Sequence, residues 1–271
     1  MIDIKDIENQ IINADCIDIL KQLPDKCIDL VVTSPPYDNL QTYNGTLEWD
    51  FNIFKNIAKE LARILKDGGA IVWIVADATI NGSETGTSFR QALYFKELGL
   101  NLHDTMIWSK PGFTAVGALK KRYAQTFEYM FILTKGINKT FNAIKDRKNL
   151  SRTECYHGTI RQKDGSKKPI SNLGKKFGDR GIRYNVWNLA PEMSNIKRQH
   201  PAQFPEQLAK DHIISWSNEN DLILDCFSGS GTTAIACHNL KRRFICIEKD
   251  KEYWQASVER LKNAQAQLKL F

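Results

Sequence analysis

The sequence predicts an α/β fold with a mostly parallel, seven-stranded sheet that ends in antiparallel strands at one edge. Two observations predict it. Apolar runs rich in β-branched residues alternate with segments of helical period, which is typical of parallel strands joined by helices. The stretch from Trp108 to Thr134 instead has the pattern of a hairpin, which indicates antiparallel strands at the edge of the sheet.

Seven apolar segments are the predicted strands. The clearest helix follows Asp50, a favourable N-cap, because apolar residues recur every three or four positions as far as Leu65 and two glycines follow at 68 and 69. Other helices are predicted from about Phe204 to Trp216, after Thr232, and from about Asp250 to the C-terminus. The strands are predicted at residues 10–14, 29–33, 69–76, 102–109, 128–134, 222–227 and 244–248.

Residues 135–199 do not continue the alternation of apolar strands and helices, because this segment is polar, rich in glycine and basic. Residues 135–183 hold fourteen Lys or Arg against four acids, so this stretch carries +10 and the rest of the chain −3. We predict one domain from residues 1–134 and 200–271, with 135–199 as an insertion that a strand near 184–189 docks back onto the core. The localised charge favours a polyanionic partner, and a solvated surface segment is the alternative.

The composition narrows the class of protein. Of the 271 residues, 42% are hydrophobic and 25% are charged, as in a globular protein. No run approaches the roughly 18 apolar residues of a membrane helix, and the N-terminus has no secretory leader, so we expect a cytoplasmic protein without a membrane partner. None of the six cysteines is spaced as a metal-binding pair. We expect buried, reduced thiols and no metal.

A Ser-Pro-Pro-Tyr motif directly follows an apolar strand, the position at which open α/β sheets bind ligands. Two prolines stiffen the backbone and remove two amide donors, which leaves a rim of acceptors. Such a rim suits an amine: the side chain of Ser34 and the carbonyl of Pro35 would accept both hydrogens of an exocyclic base amine, and Tyr37 would stack on the base. An ordinary turn is the alternative. The candidate catalytic residues are Ser34, Pro35, Pro36 and Tyr37.

A glycine-rich loop at residues 225–233 follows the strand at 222–224 and opens a helix. Its glycines let the backbone approach a ligand, and the helix N-terminus favours an anionic group. No Lys follows Gly231, unlike in a phosphate loop, and the third glycine of a dinucleotide loop is missing. Glu248 ends the next strand, where an acid commonly accepts the hydroxyls of a ribose. A ligand with a ribose and an acid group is predicted, and S-adenosylmethionine fits; a lone glycine-rich turn is the alternative.

Together these motifs resemble the amino-methyltransferases of bacterial and phage DNA modification in their β-type order, with the catalytic motif first, the recognition insert next and the cofactor loop last. The resemblance covers nearly the whole chain. It implies a Rossmann-like methyltransferase fold, S-adenosylmethionine as cofactor, and double-stranded DNA whose target base is flipped out. It also implies that residues 135–199 recognise the target. The protein is expected to be a monomer or a homodimer, and an independently acting restriction endonuclease is an optional partner.

The resemblance gives roles to further residues. Asp15 is similar to the acid beside the cofactor adenine, with a helix cap as the alternative, and His200 is similar to a residue that walls the methionine end, with a surface loop as the alternative. Lys110 matches a strand end near the active site, where it would contact a phosphate or a neighbour. The expected cofactor-binding residues are Asp15, Cys16, Thr33, His200, Phe204, Asp225, Phe227, Ser228, Gly229, Ser230, Gly231, Thr232, Thr233 and Glu248. The expected DNA-binding residues are Lys110, Arg122, Arg147, Lys148, Arg152, Arg161, Lys167, Lys168, Lys175, Lys176, Arg180 and Arg183.

Ser34 also bears on the choice of base. In the family that the chain resembles, Ser at this position is associated mainly with the 4-amino group of cytosine, and Asp or Asn with the 6-amino group of adenine. A hydroxyl both donates and accepts, so Ser34 would engage the cytosine N3 as well as the amine. We expect a cytosine-N4-specific enzyme. The alternatives are adenine specificity, an RNA or protein amine methyltransferase, and an inactive DNA-binding regulator. Residues 38–45 are expected to close over the base, or form an ordinary surface loop.

Overall fold

The computed structural model describes residues 2–37, 49–112, 121–149, 155–191 and 204–267. The chain divides into two compact units: Met1–Asn142 together with Asn185–Phe271, and Ala143–Tyr184. The second unit lies inside the segment predicted as an insertion. The loop expected to close over the base, residues 38–45, lies outside the described residues.

The described part of the chain contains seven helices and fourteen strands. The helices are α1 (Ile4–Ile7), α2 (Cys16–Leu20), α3 (Phe51–Ile64), α4 (Thr87–Glu97), α5 (Glu206–Trp216), α6 (Thr232–Asn239) and α7 (Lys251–Gln267). The strands are β1 (Gln10–Asn13), β2 (Ile28–Thr33), β3 (Leu65–Val75), β4 (Thr79–Ile80), β5 (Ser83–Glu84), β6 (Asn101–Ser109), β7 (Phe127–Thr134), β8 (Arg147–Lys148), β9 (Thr159–Arg161), β10 (Lys167–Pro169), β11 (Arg180–Gly181), β12 (Val186–Asn188), β13 (Leu222–Asp225) and β14 (Arg243–Glu248).

The first unit is built on one sheet with the order β1-β14-β13-β2-β3-β7-β6-β12. The first five strands are parallel to one another, whereas β7 is antiparallel to both β3 and β6. This arrangement confirms the mostly parallel sheet with antiparallel strands towards one edge. The sheet has eight strands rather than the predicted seven, because the short docking strand β12 pairs in parallel with β6.

Helices cover both faces of the sheet. On one face the core includes Leu20, Phe54 and Phe95, from α2, α3 and α4, and on the other it includes Ile213 and Ala236, from α5 and α6. Central strands that are buried on both faces are continuously apolar, as β2 and β3 are over most of their length. The sheet therefore holds the strand ends of the first unit in fixed register.

Helix α3 shows how local chemistry sets an element. The Oδ1 atom of Asp50 accepts hydrogen bonds from the backbone amides of Asn52 and Ile53, both at 2.7 Å, so the predicted N-cap is confirmed. The predicted end was wrong. The helix ends at Ile64, and Leu65 already begins β3, where it pairs with Ile28 instead of continuing the helix to the two glycines.

The second unit, Ala143–Tyr184, contains two short antiparallel pairs, β8 with β11 and β9 with β10. Tyr156 and Phe177 pack together, with ring centroids 4.1 Å apart. Asp146 forms an ion pair with Arg183. The unit therefore has internal contacts of its own.

Neither membrane-spanning nor cross-linking features are seen in the described ranges. No helix there is both long and apolar enough to span a bilayer. All six cysteines fall within the described residues and are free thiols; four of them, Cys16, Cys226, Cys237 and Cys246, are buried. The prediction of burial is confirmed for these four, whereas Cys27 and Cys155 are only partly buried.

Candidate active site

One edge of the main sheet brings the predicted motifs together. Strands β2, β3, β13, β14 and β6 run in the same direction, so they end at this edge, and the antiparallel β7 begins there. The catalytic motif follows β2, the glycine-rich loop follows β13, and Glu248 ends β14. The carboxyl edge is where ligands of such sheets bind.

The Ser-Pro-Pro-Tyr motif lies at the end of β2, in the middle of the sheet. Pro35 and Pro36 are buried, whereas Ser34 and Tyr37 are partly exposed. Thr33, the last residue of β2, is fully buried, and its hydroxyl donates to Oδ1 of Asp225 at 2.7 Å. The start of the catalytic motif is thereby tied to the start of the glycine-rich loop.

Two further side chains join the motif into one row of hydrogen bonds. The Ser34 Oγ and Tyr37 Oη atoms lie 3.0 Å apart, and the Tyr37 hydroxyl donates to Oε2 of Glu128 at 2.7 Å. The other carboxylate oxygen of Glu128 accepts from the Lys110 ammonium group in an ion pair. Lys110 also lies over the ring of Trp108, 4.4 Å from its centroid. Lys110 was predicted to contact either a phosphate or a neighbouring side chain. It contacts a neighbouring side chain, that of Glu128.

Glu128 is the site residue that the sequence prediction missed. It is 6% exposed and is the second residue of β7, a strand that otherwise looked purely apolar and aromatic. A single acid within such a run was the available signal, since acids are almost never buried unless they are paired. Its partner Lys110 follows β6, and the pairing of β6 with β7 brings the two together.

Asp225 holds the start of the glycine-rich loop through hydrogen bonds. It is 1% exposed and accepts hydrogen bonds from Thr33, from the Thr233 hydroxyl at 2.6 Å and from the Phe227 amide at 3.1 Å. Burial raises the pKa of its carboxyl group, and these three hydrogen bonds oppose that rise. Its position makes it a support of the loop backbone.

The loop backbone depends on its glycines. Gly229 and Gly231 have φ angles of 49° and 78°, in the left-handed region that favours glycine. A Cβ atom on Gly231 would lie 2.9 Å from the Cβ of Ser257 in α7. Gly231 is also the N-cap of α6 and has no side chain to bond the first-turn amides, which leaves the helix N-terminus suited to an anionic group.

Glu248 lies beside this loop. It is 8% exposed; its Oε2 accepts from the Gly229 amide at 2.7 Å and its Oε1 from the Asp250 amide at 2.8 Å. Burial raises the pKa of the carboxyl group, and the two amide hydrogen bonds oppose that rise. Each oxygen has a second lone pair, so the carboxylate retains capacity for a ligand's hydroxyl groups.

Asp15 takes the alternative role of a helix cap. Its Oδ1 caps α2 through the Ile17 amide at 3.1 Å, and its Oδ2 pairs with Lys249 at 2.9 Å. The parallel pairing of β1 with β14 nevertheless places it at the same sheet edge as Glu248. Cys16 behind it is buried, which raises the pKa of its thiol to about 12, so it is a packing group.

The remaining predicted cofactor residues separate into described and undescribed positions. His200 lies outside the described residues. Phe204 is buried in the core just before α5. Phe227 is partly buried, with its ring 5.5 Å from that of Trp49 and 6.5 Å from that of Trp73, centroid to centroid. Four polar residues of the loop are also buried: Ser228, Ser230, Thr232 and Thr233.

Among the predicted DNA-binding residues other than Lys110, Arg122 lies in the first unit and the other described ones lie in the second. Some guanidinium groups are engaged within the protein: Arg122 donates to Thr79 Oγ1 and the Gly82 carbonyl, Arg180 to the Asp146 carbonyl, Arg183 to the Asp146 carboxylate, and Arg147 to the Ile182 carbonyl. Arg152 lies outside the described residues. Arg122 and Arg180 are exposed despite these contacts. Six further predicted residues, all in the second unit, are also exposed: Lys148, Arg161, Lys167, Lys168, Lys175 and Lys176.

The described residues contain no cluster of His, Cys, Asp or Glu able to hold a metal ion. What they do contain is a half-exposed hydroxyl and a proline-stiffened loop at the same sheet edge as a helix N-terminus and a buried acid. That arrangement is equipped to orient an amine and to hold a ligand with an acid group and a ribose.

Comparison with known proteins agrees with this chemistry. The N6/N4 family of DNA methylases matches residues 28–259. The chain is 50% identical over 252 residues to the orphan methyltransferase M.BamHII of Bacillus amyloliquefaciens, covering 90% of this chain and 92% of that protein. It is 28% identical to the DNA adenine methyltransferase YhdJ of Escherichia coli, covering 93% of this chain and 82% of that protein.

Solved structures share the fold. The M1.HpyAVI–SAM complex superposes with a TM-score of 0.63 at 26% identity, covering 93% of this chain and 99% of that one. The cytosine-N4-specific PvuII DNA methyltransferase superposes with a TM-score of 0.67 at 20% identity, covering 95% of this chain and 91% of that one.

Proposed function

The chain belongs to the family of N6 and N4 DNA methylases, and from this membership we propose that it methylates the 4-amino group of cytosine in double-stranded DNA. The observation that carries the choice of cytosine is Ser34, the first residue of the catalytic motif. Its hydroxyl is partly exposed at the sheet edge where the cofactor loop also lies. The Ser34 oxygen and the Pro35 carbonyl offer acceptors for both hydrogens of a base amine. The choice of cytosine over adenine follows from the residue type, because Ser at this position is associated in the family mainly with the 4-amino group of cytosine.

The enzyme uses S-adenosylmethionine, as its family and the cofactor complex among its structural neighbours indicate. The residues of the site fit this molecule. We assign the amino-acid end to the α6 N-terminus at Gly231 and the ribose hydroxyls to the carboxylate of Glu248. When bound, the cofactor supplies a methyl group on a positively charged sulfur.

The protein's own contribution is orientation. The exocyclic amine is a poor nucleophile because its lone pair is delocalised into the ring. Acceptance of both N–H hydrogens by Ser34 and Pro35 turns that lone pair towards the methyl group, and the ring of Tyr37 holds the flipped base. Tyr37 is well suited to this because Glu128 holds its hydroxyl, which fixes the outer end of the ring.

We assign DNA binding to the exposed basic residues of the Ala143–Tyr184 unit. The antiparallel pair β9–β10 presents Arg161 opposite Lys167, with Lys168 next to them, and all three are exposed. Clustered, exposed cations are the electrostatic footprint of a phosphate-binding surface. The arginines that are engaged with Asp146 shape this unit and contribute less to DNA binding.

Nucleoside mass spectrometry tests the choice of base. DNA from cells that express the chain is digested and compared with DNA from cells that express Ser34→Ala. We expect 4-methylcytosine with the wild-type chain only. 6-Methyladenine in its place would establish the adenine alternative, which the 28% identity to a DNA adenine methyltransferase supports. Methylated RNA or protein without methylated DNA, or no transfer at all, would contradict the proposal.

Three further properties stay predictions from the sequence: a cytoplasmic location, a monomeric or homodimeric state, and an independently acting restriction endonuclease as partner. Sedimentation of the purified protein with and without DNA measures the oligomeric state. Sequencing of the neighbouring genes and a cleavage assay on unmethylated DNA test for the endonuclease.

A further inference from the structure

The row of side chains from Ser34 to Lys110 has a fixed hydrogen-bond direction. Glu128 is paired with the Lys110 ammonium group, and a carboxylate only accepts. Tyr37 has one hydroxyl proton and donates it to Glu128 Oε2 at 2.7 Å. The Tyr37 oxygen is then the acceptor at its 3.0 Å separation from Ser34, so Ser34 donates its own single proton to Tyr37.

This direction decides what Ser34 offers to a substrate. With its proton held by Tyr37, the Ser34 oxygen presents lone pairs only and accepts from the base amine. The expectation that Ser34 would also donate to the cytosine N3 is incompatible with this arrangement. The negative end of the row is Glu128, so its charge strengthens the acceptor character of Ser34 through Tyr37.

We propose that Glu128 is a positioning residue that sets this direction, and that the row carries away the proton released by the methylated amine. The inference rests on the proposed methylation of a base amine, whichever base that is. Residues 34, 37 and 128 come from a loop and a distant strand, so the row exists only in the folded protein.

The amine nitrogen forms its bond to the methyl carbon, the electron pair of the carbon–sulfur bond goes to sulfur, and the nitrogen becomes cationic. As this bond forms, one N–H proton passes to the Ser34 oxygen while the Ser34 proton passes to Tyr37 and the Tyr37 proton to Glu128. Glu128 ends as a neutral acid beside Lys110 and later loses the proton to water.

A double-mutant cycle tests the row. Tyr37→Phe keeps the aromatic face but removes the hydroxyl, and Glu128→Gln keeps the shape but removes the charge. Single-turnover methyl transfer is measured for both variants and for the double variant. We expect each single variant to be slower by about 100-fold, within the range of acid–base contributions. The double variant should be no slower than the worse single variant, because both act through one route.

Two readouts that do not depend on methyl transfer accompany the rates. DNA affinity is measured without cofactor, and the melting temperature is measured by calorimetry. We expect the DNA affinity of Tyr37→Phe to stay within about threefold of that of the wild type, since the aromatic face is kept. Glu8→Gln is the matched control: it removes the same charge from an ion pair with Arg243, at the amino end of β14, and should leave all three measurements unchanged.

Three outcomes would overturn the inference. Double-variant losses that multiply would mean that Tyr37 and Glu128 act independently. An unchanged rate in Tyr37→Phe would mean that no proton passes through its hydroxyl. Loss of DNA affinity in parallel with the rate would mean that the row only supports the fold of the site. Because every comparison is made against wild-type transfer to whichever base it methylates, a failure of the cytosine proposal leaves this test intact.

Discussion

The glycine-rich loop and the catalytic motif lie at the same sheet edge but are built in different ways. The loop is mostly local: Asp225, the two left-handed glycines and the start of α6 all lie within residues 225–233, and single hydrogen bonds join it to Thr33 and Glu248 from β2 and β14. The catalytic motif is local only in its own four residues, because its hydroxyls are oriented by Glu128 and Lys110 from β7 and the end of β6. On the cofactor side, the backbone of one short segment provides most of the site, whereas on the amine side the hydroxyl groups are oriented by side chains from distant segments.

This difference predicts different responses to mutation. Changes on the amine side should reduce methyl transfer while cofactor binding persists. Changes on the cofactor side should reduce cofactor affinity and stability together, because the same backbone provides both.

The largest expected effect is that of Ser34→Ala on methyl transfer. The substitution removes an acceptor aimed at the reacting amine, so the single-turnover rate should fall on the order of 10²- to 10³-fold, as when one preorganised hydrogen-bonding group is removed from other active sites. Cofactor affinity, measured by calorimetry, should stay close to that of the wild type. Equal losses in rate and cofactor affinity would abolish the proposed division between the two sides.

Gly231→Ala should damage the cofactor side. The new Cβ would lie 2.9 Å from Ser257 Cβ at a φ of 78°, so backbone strain and close approach together should cost on the order of 1–3 kcal/mol. We expect a lower free energy of unfolding in urea and weaker cofactor binding, by about tenfold for each 1.4 kcal/mol that falls on the bound state. Gly82→Ala is the matched control, since Gly82 has a φ of 85° and a Cβ added there would meet no atom within 4 Å. Similar losses of cofactor affinity in both variants would contradict the role of the close approach to Ser257.

Glu248→Gln should have a smaller effect with a pH signature. Burial raises the pKa of Glu248 above its ordinary value of 4.5, so the folded state binds more protons than the unfolded state just above that pH. The free energy of unfolding therefore falls as pH rises from 4.5 through the raised pKa, and the glutamine variant should show a shallower fall. In this variant the free energy of unfolding still depends on pH, because the pKa of Asp225 is also raised. Cofactor affinity should fall about tenfold, the range of a missing hydrogen bond to a charged group. An unchanged slope in urea titrations across this pH range would contradict the prediction.

The smallest expected effect belongs to the second unit. Replacing Lys167 and Lys168 by Ala should weaken DNA binding by about threefold to tenfold and reduce the salt dependence, by about 0.9 in the logarithmic slope for each phosphate that is no longer neutralised. The control replaces Lys59 and Lys96, which are exposed on α3 and α4 and carry the same total charge. Equal weakening in the control pair would show that net charge, rather than the β9–β10 surface, determines the affinity.

The same contrast explains what could be predicted from the sequence. Asp50 as a helix cap and Glu248 as a strand-end acid rely on neighbours close in the chain or on strand order, and both lie where expected. The role of Glu128 was not visible, because it depends on the register of β6 against β7. The eighth strand was only partly predictable, since β12 has three residues and is positioned by its pairing with β6.

The predicted end of helix α3 was wrong for a related reason. The periodic pattern of α3 continues to Leu65, but strand pairing with Ile28 begins there and overrides the local preference. The basic segment showed its charge clearly, yet several of its arginines are engaged by Asp146 and by backbone carbonyls, which the sequence did not indicate. Composition predicted a polyanionic partner, and tertiary contacts determine which Lys and Arg side chains are left to bind it.

The most direct test of the proposed cytosine methylation identifies the atom that receives the methyl group. Purified protein is incubated with unmethylated DNA and S-adenosylmethionine that carries a deuterated methyl group, and the nucleosides are identified by mass spectrometry against N4-methyl and N6-methyl standards. We expect the deuterated methyl group on N4 of deoxycytidine, and its near absence with Ser34→Ala. Label on deoxyadenosine, or label on deoxycytidine that is undiminished in Ser34→Ala, would contradict the proposed reaction.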